Sequence, residues 1–452
     1  MPATDAVYLW AESGTSPSHV VALQIFRPGA DASSMLLDDL YARMTDPAGL
    51  KPSFRRRPYR SLRTAGQFAW AEDEDVDLTL HIRRVGLPHP GRIRELLEYV
   101  ASFHETPLPR DRPLWEARLV EGLTDGRFAI CTKMHHAQFD GVNMGRHLLG
   151  GLSPDPSARG ATAPWIRPRD AQPPKARALG RTLDVAAVVG EVARSLPGFL
   201  RATADVLSPR GAPPPFAAPA TRFNGPVSAA RRFAGDAWPK QRLRDVAARA
   251  GTTTNDVAIA MCAGALRTYL AELGELPDRP LVAMVPVAFD PYGSDARDGN
   301  GWAAVLCDLA TDTDDPRERL SRVHACTSHS KRVMSGLDQV SATAVGAIAM
   351  GGAVLNLLPG VPELPRPPFN IIISSVPAVS RRLYLDGCEL TDNYPVSVVV
   401  DGQALNITMV SYVDDLAFGI SGCRRSVPRL QRLLGHLEDA LVELEKEFTE
   451  TR

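Results

Sequence analysis

Lys133-Met134-His135-His136-Ala137-Gln138-Phe139-Asp140-Gly141 decides how this chain is read. It closes an apolar run from Phe128 that reads as a β-strand. Side chains alternate along a strand, so Phe128, Ile130, Thr132, Met134 and His136 are expected on one face, and Ala129, Cys131, Lys133 and His135 on the other. Of two adjacent histidines, only one can then serve a given pocket. His136, on the apolar face, suits a general base, because an imidazole titrates near working pH. His135 is open between structural support and a direct role. Asp140 can pair with a basic group or order the turn, and Gly141 permits close approach or a positive φ. No third ligand stands at a known metal spacing from the two histidines, so no metal centre is expected.

Outward from this stretch, residues 1–152 mix strands and helices. Val20 to Phe26, Trp115 to Val120 and Phe128 to Met134 read as strands. Leu78 to Ile82 alternates like a half-buried one, and Ile93 to Phe103 has helical spacing. Residues 153–226 change character. Two proline-rich arms flank a helical stretch, Ala176 to Leu207, that is suited to cross between two halves. Residues 227–452 form the second half. A helix from Thr253 or Thr254 to Leu270 and strands at Leu281–Ala288 and Trp302–Leu309 come first. A helix over Pro316–Arg332 follows, then strands near Phe369–Val376, Val396–Val400, Ala404–Tyr412 and Leu416–Ser421, and a terminal helix over Val427–Phe448. There is no regular βαβ alternation, so the expected class is α/β of the α+β type with mixed sheets.

Composition narrows the function. The 452 residues carry 51 Lys+Arg against 52 Asp+Glu, a net charge of −1, which argues against a whole-surface nucleic-acid binder. At 44% hydrophobic and 23% charged, the chain is an ordinary globular protein, and its length allows two or three domains. None of the six cysteines falls in a Cys-x-x-Cys pair, which fits a reducing compartment without zinc. The N-terminus has no basic segment followed by an apolar one, so no export signal is expected. Gln339 to Pro362 carries no charge but is rich in Gly, Ala, Ser and Thr. It reads as a buried or cleft-lining helix rather than a spanning one. The stretch Arg167 to Arg201 is basic, either a solvated face or a contact for anionic headgroups or phosphate.

His135-His136-Ala137-Gln138-Phe139-Asp140-Gly141 resembles the signature of CoA-dependent acyltransferases and peptide-synthetase condensation domains. Other blocks are similar to those of bacterial wax ester synthase/diacylglycerol acyltransferases: Asp5 to Glu12, Pro113-Leu114-Trp115-Glu116, Asn255-Asp256, Val285-Pro286-Val287, Gly299-Asn300 and Leu405-Asn406-Ile407-Thr408 with Ser411-Tyr412. The resemblance runs over nearly the whole chain. Two blocks depart from it. Ser374-Ser375-Val376-Pro377-Ala378-Val379 stands where Ser-Asn-Val-Pro-Gly-Pro is usual, and Leu309-Ala310 where Leu-Pro is usual.

The resemblance implies a two-lobed chloramphenicol-acetyltransferase-like fold with the active site in a cleft or tunnel between lobes. It implies transfer of a long-chain acyl group from acyl-CoA to diacylglycerol or a long-chain alcohol. His136 would act as base, and no cofactor is needed beyond acyl-CoA as substrate. Asn255 or nearby N–H groups would hold the oxyanion; capping is the competing role for Asn255 and Asp256. Pro113, Leu114 and Trp115 would pack the lobe. Gly346, Gly351, Leu355 and their neighbours would line an acyl groove, and Ser375 would shape the cleft. Insoluble substrates imply peripheral attachment from the cytoplasm to the inner face of the membrane or to lipid droplets. The alternatives are a condensation-type enzyme using a carrier-bound thioester and a catalytically silent lipid-binding protein.

Overall fold

The computed structural model describes residues 1, 3–139, 141–161, 163–167, 213–214, 216–288, 302–335 and 366–449. Two compact units interleave in sequence. The first holds Met1–Arg169, Gly225–Pro239 and Ser375–Gln431; the second holds Asp170–Asn224, Lys240–Ser374 and Arg432–Arg452. The segments 1–152, 153–226 and 227–452 are each contiguous, whereas each unit is assembled from three stretches. The cause is strand pairing between stretches far apart in the chain.

In the first unit the early strands are β1 (His19–Arg27), β2 (Arg56–Tyr59), β3 (Ala69–Glu72), β4 (Ile82–Gly86), β5 (Trp115–Glu121) and β6 (Phe128–His135). The later ones are β7 (Arg231–Pro239), β11 (Tyr384–Leu385), β12 (Cys388–Val396), β13 (Leu405–Tyr412) and β14 (Asp415–Cys423). In the second, β8 (Val282–Ala288) pairs antiparallel with β9 (Trp302–Asp308) and parallel with the start of β10 (Ile371–Val379). The unit boundary falls inside β10, after Ser374.

The main sheet of the first unit has the order β11-β12-β1-β6-β5-β4. β1 is its spine. It pairs antiparallel with β6, His19 facing His135, and antiparallel with β12, Val21 facing Val396. Both faces of this sheet are covered. Phe128, Ile130 and Met134 of β6 join a core with Trp115, Phe54 and Trp165, while Ala129 and Cys131 join another with Leu96 and Val100. That double burial explains why β6 is apolar nearly throughout.

The helices of this unit are α1 (Ala3–Ala11), α2 (Leu36–Met44), α3 (Leu78–His81), α4 (Ile93–Glu105) and α5 (Gly141–Leu149). α3 corrects the sequence reading of Leu78–Ile82 as a strand. Asp77 caps a single helical turn by accepting from the Thr79 N–H at 2.9 Å, and the strand starts only at Ile82. The strand expected at Val396–Val400 also lies earlier, at β12. Cys388, Leu390, Tyr394 and Val396 of β12 are buried at even spacing, with polar Thr391, Asp392 and Asn393 between.

Within the same unit β7-β14-β13 form a second group of strands. A Cβ at Gly419 of β14 would overlap the carbonyl oxygen of Pro395 in β12, so only glycine permits this approach.

The second unit is built on α7 (Thr254–Glu272), which is buried almost all round from Asp256 to Leu266. α6 (Lys240–Ala250), α8 (Pro316–Ser335) and α9 (Arg432–Thr449) accompany it. Arg242 of α6 forks onto Glu438 and Glu445 of α9 at 2.7–3.0 Å. Among the described residues no helix is long and apolar enough to cross a membrane. Gln339–Pro362 lies outside them, as does nearly all of the basic stretch after Arg167.

Candidate active site

β6 stops at His135, so His136 lies in the turn that follows rather than on the pleat. The face alternation therefore holds through the strand but does not aim His136. Two neighbouring segments fix the backbone here. The His135 N–H donates to the Leu114 carbonyl at 3.1 Å, and the His136 N–H donates to the Ser18 carbonyl at 2.9 Å. The Gln138 and Phe139 N–H groups turn back onto the His135 carbonyl at 3.0 and 3.1 Å.

His135 is buried and already committed. Its Nδ1 accepts the Ala137 N–H at 3.1 Å, which leaves the ring proton on Nε2, 3.3 Å from Glu12 Oε1. Glu12 also receives the Ser18 N–H at 3.0 Å and the Arg110 guanidinium at 2.8 Å. Burial alone would raise the Glu12 carboxyl, but His135, Arg110 and Ser18 outweigh it and bring it down to about 2. Glu12 thus stands as a carboxylate behind the first histidine, holding its tautomer and orientation as outer partners do for catalytic imidazoles.

His136 differs. It is half-buried and stacked on Tyr8 of α1, centroids 4.8 Å apart and planes 12° from parallel. Its Nδ1 is buried without a hydrogen-bond partner among the described residues. Burial, reinforced by nearby His135, lowers its pKa to about 4, so it is a neutral imidazole at neutral pH. Such a ring can take a proton from a hydroxyl as that oxygen attacks.

Lys133 stabilises the frame. Its ammonium reaches the carbonyls of Phe103 and Thr106 at 3.1 and 2.8 Å, at the C-terminal end of α4, where a cation is favoured. It also lies 3.6 Å from Glu116 and 4.3 Å from the Phe103 ring centroid. Burial lowers it to about 8 although Glu116 opposes the shift.

The structure distributes the other sequence-derived residues as follows. Leu114 and Trp115 are fully buried; Trp115 donates from Nε1 to the Phe54 carbonyl at 3.0 Å and stacks on Trp165, while Leu114 anchors His135. Pro113 accepts the Trp115 N–H. This segment packs the core and sets the backbone next to the histidines. Gly141 opens α5, and Asp140 lies outside the described residues. So do Gly346, Gly351 and Leu355.

In the second unit, Asn255 sits half-buried in the first turn of α7. Asp256 is wholly buried and closes a capping box with Thr253, taking the Thr253 N–H at 2.9 Å and hydroxyl at 2.8 Å. It also accepts Thr327 Oγ1 at 2.6 Å and contacts His324 Nδ1 at 2.8 Å, tying α8 to α7. Burial would raise its carboxyl, but these bonds hold it below the usual range. Ser375 is exposed in β10. Tyr8 and Glu12 had no assigned role from sequence. Their spacing of four, which puts them on one helical face, was the available signal.

Comparison with known proteins bears on this arrangement. The family profile for the wax ester synthase/diacylglycerol acyltransferase catalytic domain matches residues 1–258, and that for the family's C-terminal domain matches residues 298–445. A putative diacylglycerol O-acyltransferase of Mycobacterium tuberculosis is 45% identical over 446 residues, 99% of each chain. A second, probable diacylglycerol O-acyltransferase from that organism is 42% identical over 449 residues, 99% of this chain and 98% of its own. The solved wax ester synthase/diacylglycerol acyltransferase of Marinobacter aquaeolei superposes with a TM-score of 0.77 at 36% identity, covering 99% of both chains. The first condensation domain of the calcium-dependent antibiotic synthetase, at 18% identity and a TM-score of 0.60 over 100% of this chain and 96% of its own, shares the fold. The two-lobed α/β fold with mixed sheets is therefore that of this group. The chain belongs to the wax ester synthase/diacylglycerol acyltransferase family of acyltransferases.

Proposed function

We propose that this protein transfers a long-chain acyl group from acyl-CoA to the hydroxyl of diacylglycerol or a long-chain alcohol, with His136 as general base. The observation that carries the reading is the state of His136: neutral, half-buried, stacked on Tyr8 and backed by the Glu12–His135 pair. The imidazole takes the hydroxyl proton as the oxygen forms its bond to the thioester carbonyl carbon. The tetrahedral intermediate then expels the CoA thiolate, which recovers that proton. Asn255 is the proposed oxyanion donor, and Gly346, Gly351 and Leu355 the proposed acyl groove. No cofactor takes part beyond acyl-CoA as substrate. Working on such substrates, the protein attaches peripherally to the cytoplasmic face of the membrane or to lipid droplets.

The test is to follow free thiol with palmitoyl-CoA and either hexadecanol or dipalmitoylglycerol in detergent. Acceptor-dependent thiol release that vanishes in His136→Ala is the expected result. Release from a carrier-bound thioester alone would indicate a condensation-type enzyme, and no release from any donor a silent lipid binder.

A further inference from the structure

Between Lys51 and Glu72 the chain has five arginines, Arg55, Arg56, Arg57, Arg60 and Arg63, and no acidic residue. β2 and β3 fold this stretch into a hairpin, from Arg56 opposite Glu72 to Tyr59 opposite Ala69. Its loop projects Leu62, which is 99% exposed. A single leucine in water is unremarkable on any surface, so its surroundings decide its meaning. Tyr59 of the same hairpin and Trp10 of α1 are 38% and 45% exposed. The Arg60 guanidinium lies 4.3 Å from the Trp10 ring centroid and 5.0 Å from that of Phe68, and its Nε donates to the Gly66 carbonyl at 2.9 Å. The loop is therefore held against α1 with its apolar tip outward.

Charge is polarised along the hairpin. The acidic run Asp73, Glu74, Asp75 and Asp77 follows its base, where Arg55 is turned onto the Glu74 carbonyl at 3.0 Å, and the tip is purely cationic. An apolar point, flanking amphipathic aromatics and a cationic collar match the layers of an anionic lipid surface: acyl chains, interface and phosphates.

We propose that the β2–β3 tip, with Trp10 of α1, is the surface by which this protein docks on anionic lipid. Leu62 enters the acyl layer, Trp10 and Tyr59 lie at headgroup depth, and Arg60 meets the phosphates. The short helix that gives Trp10 to this surface gives Tyr8 to His136, so one element joins the docking surface to the histidine. The purpose of the surface rests on the lipid substrates proposed above, but its test does not, because binding is read without turnover.

Full-length protein is sedimented with phosphatidylcholine vesicles, with and without phosphatidylglycerol. The wild type is expected to bind only the anionic vesicles and to leave them at high salt. Leu62→Glu should weaken that binding at least about tenfold with its melting temperature unchanged, Arg60→Gln should weaken it about fivefold, and thiol release in detergent should be unchanged in both. Tryptophan emission should shift to the blue on binding, and Trp10→Phe should remove most of the shift. Undiminished binding of Leu62→Glu overturns the proposal, as does failure of the wild type to bind. It is also overturned if neutralising Arg177, Arg181, Arg194 and Arg201 abolishes binding that Leu62→Glu leaves intact. Binding by wild type but not Leu62→Glu, with no thiol release from either, supports the docking surface and sinks the acyl-transfer reading alone.

Discussion

The Tyr8 ring lies over the His136 ring at 4.8 Å, nearly parallel at 12°. With the His136 N–H bound to the Ser18 carbonyl, this stack fixes the plane of the imidazole from both backbone and ring. A base held in plane meets its hydroxyl in one geometry, and small misplacements are costly. Tyr8→Phe keeps the stack and should retain most of kcat. Tyr8→Ala frees the ring and should lower kcat by about ten- to a hundredfold with a smaller change in KM. Equal losses in both variants would assign the effect to the phenol instead.

His136→Ala should reduce acyl transfer by roughly 10²–10⁴-fold while the circular dichroism spectrum stays native. The pH profile is the finer check. A base must be neutral, and His136 is held down to about 4, so kcat/KM should be flat through neutrality and fall only as pH drops toward about 4. An acid limb near 6.5 would show a base whose pKa is not depressed.

Glu12 makes a linkage prediction. Its carboxyl falls from an ordinary 4.5 to about 2 in the folded protein. Its stabilisation is then fully present above the unfolded value and is lost as pH falls through about 2; the scale is on the order of 3 kcal/mol. Glu12→Gln should lower the melting temperature at pH 7 and flatten its decline between about pH 5 and 2. Because His135 loses its partner, turnover should fall as well. A variant with wild-type melting at both pH values would remove Glu12 from the frame.

Asp256 is expected to act on stability first. Asp256→Ala strips partners from Thr253 and Thr327 and leaves a buried gap between α7 and α8, at a cost of about 2–4 kcal/mol by denaturant unfolding. Asp256→Asn keeps the shape and an acceptor and should cost less. Unfolding midpoints unchanged in both variants would show that the capping box is dispensable.

Most elements were legible because their apolar period was plain: β1, β5, β6, α4, α7 and the terminal helix all lie within a few residues of expectation. Failures have specific causes. At Leu78 a local cap from Asp77 overrode an alternating pattern. β12 hid because Thr391, Asp392 and Asn393 interrupt it, and its identity depends on a strand far upstream. The strand period separates His136 from His135, but the orientation of His136 comes from Ser18 and Tyr8, which no strand period specifies. The partnership of Glu12 with His135 is a tertiary fact, visible from sequence only as a four-residue spacing beside Tyr8.

The late arrival of β12 has a consequence for biosynthesis. The Thr391 hydroxyl bonds to the Ile25 carbonyl across 366 residues, and Val396 pairs with Val21. While the chain leaves the ribosome, β1 can zip onto β6 early, yet its other edge waits for nearly the whole polypeptide. An open apolar edge is a template for pairing with other nascent chains, so the interval favours chaperone engagement over spontaneous closure. A messenger truncated before residue 388, where β12 begins, would make a histidine-bearing sheet with that edge permanently bare, and its product should collect in inclusion bodies.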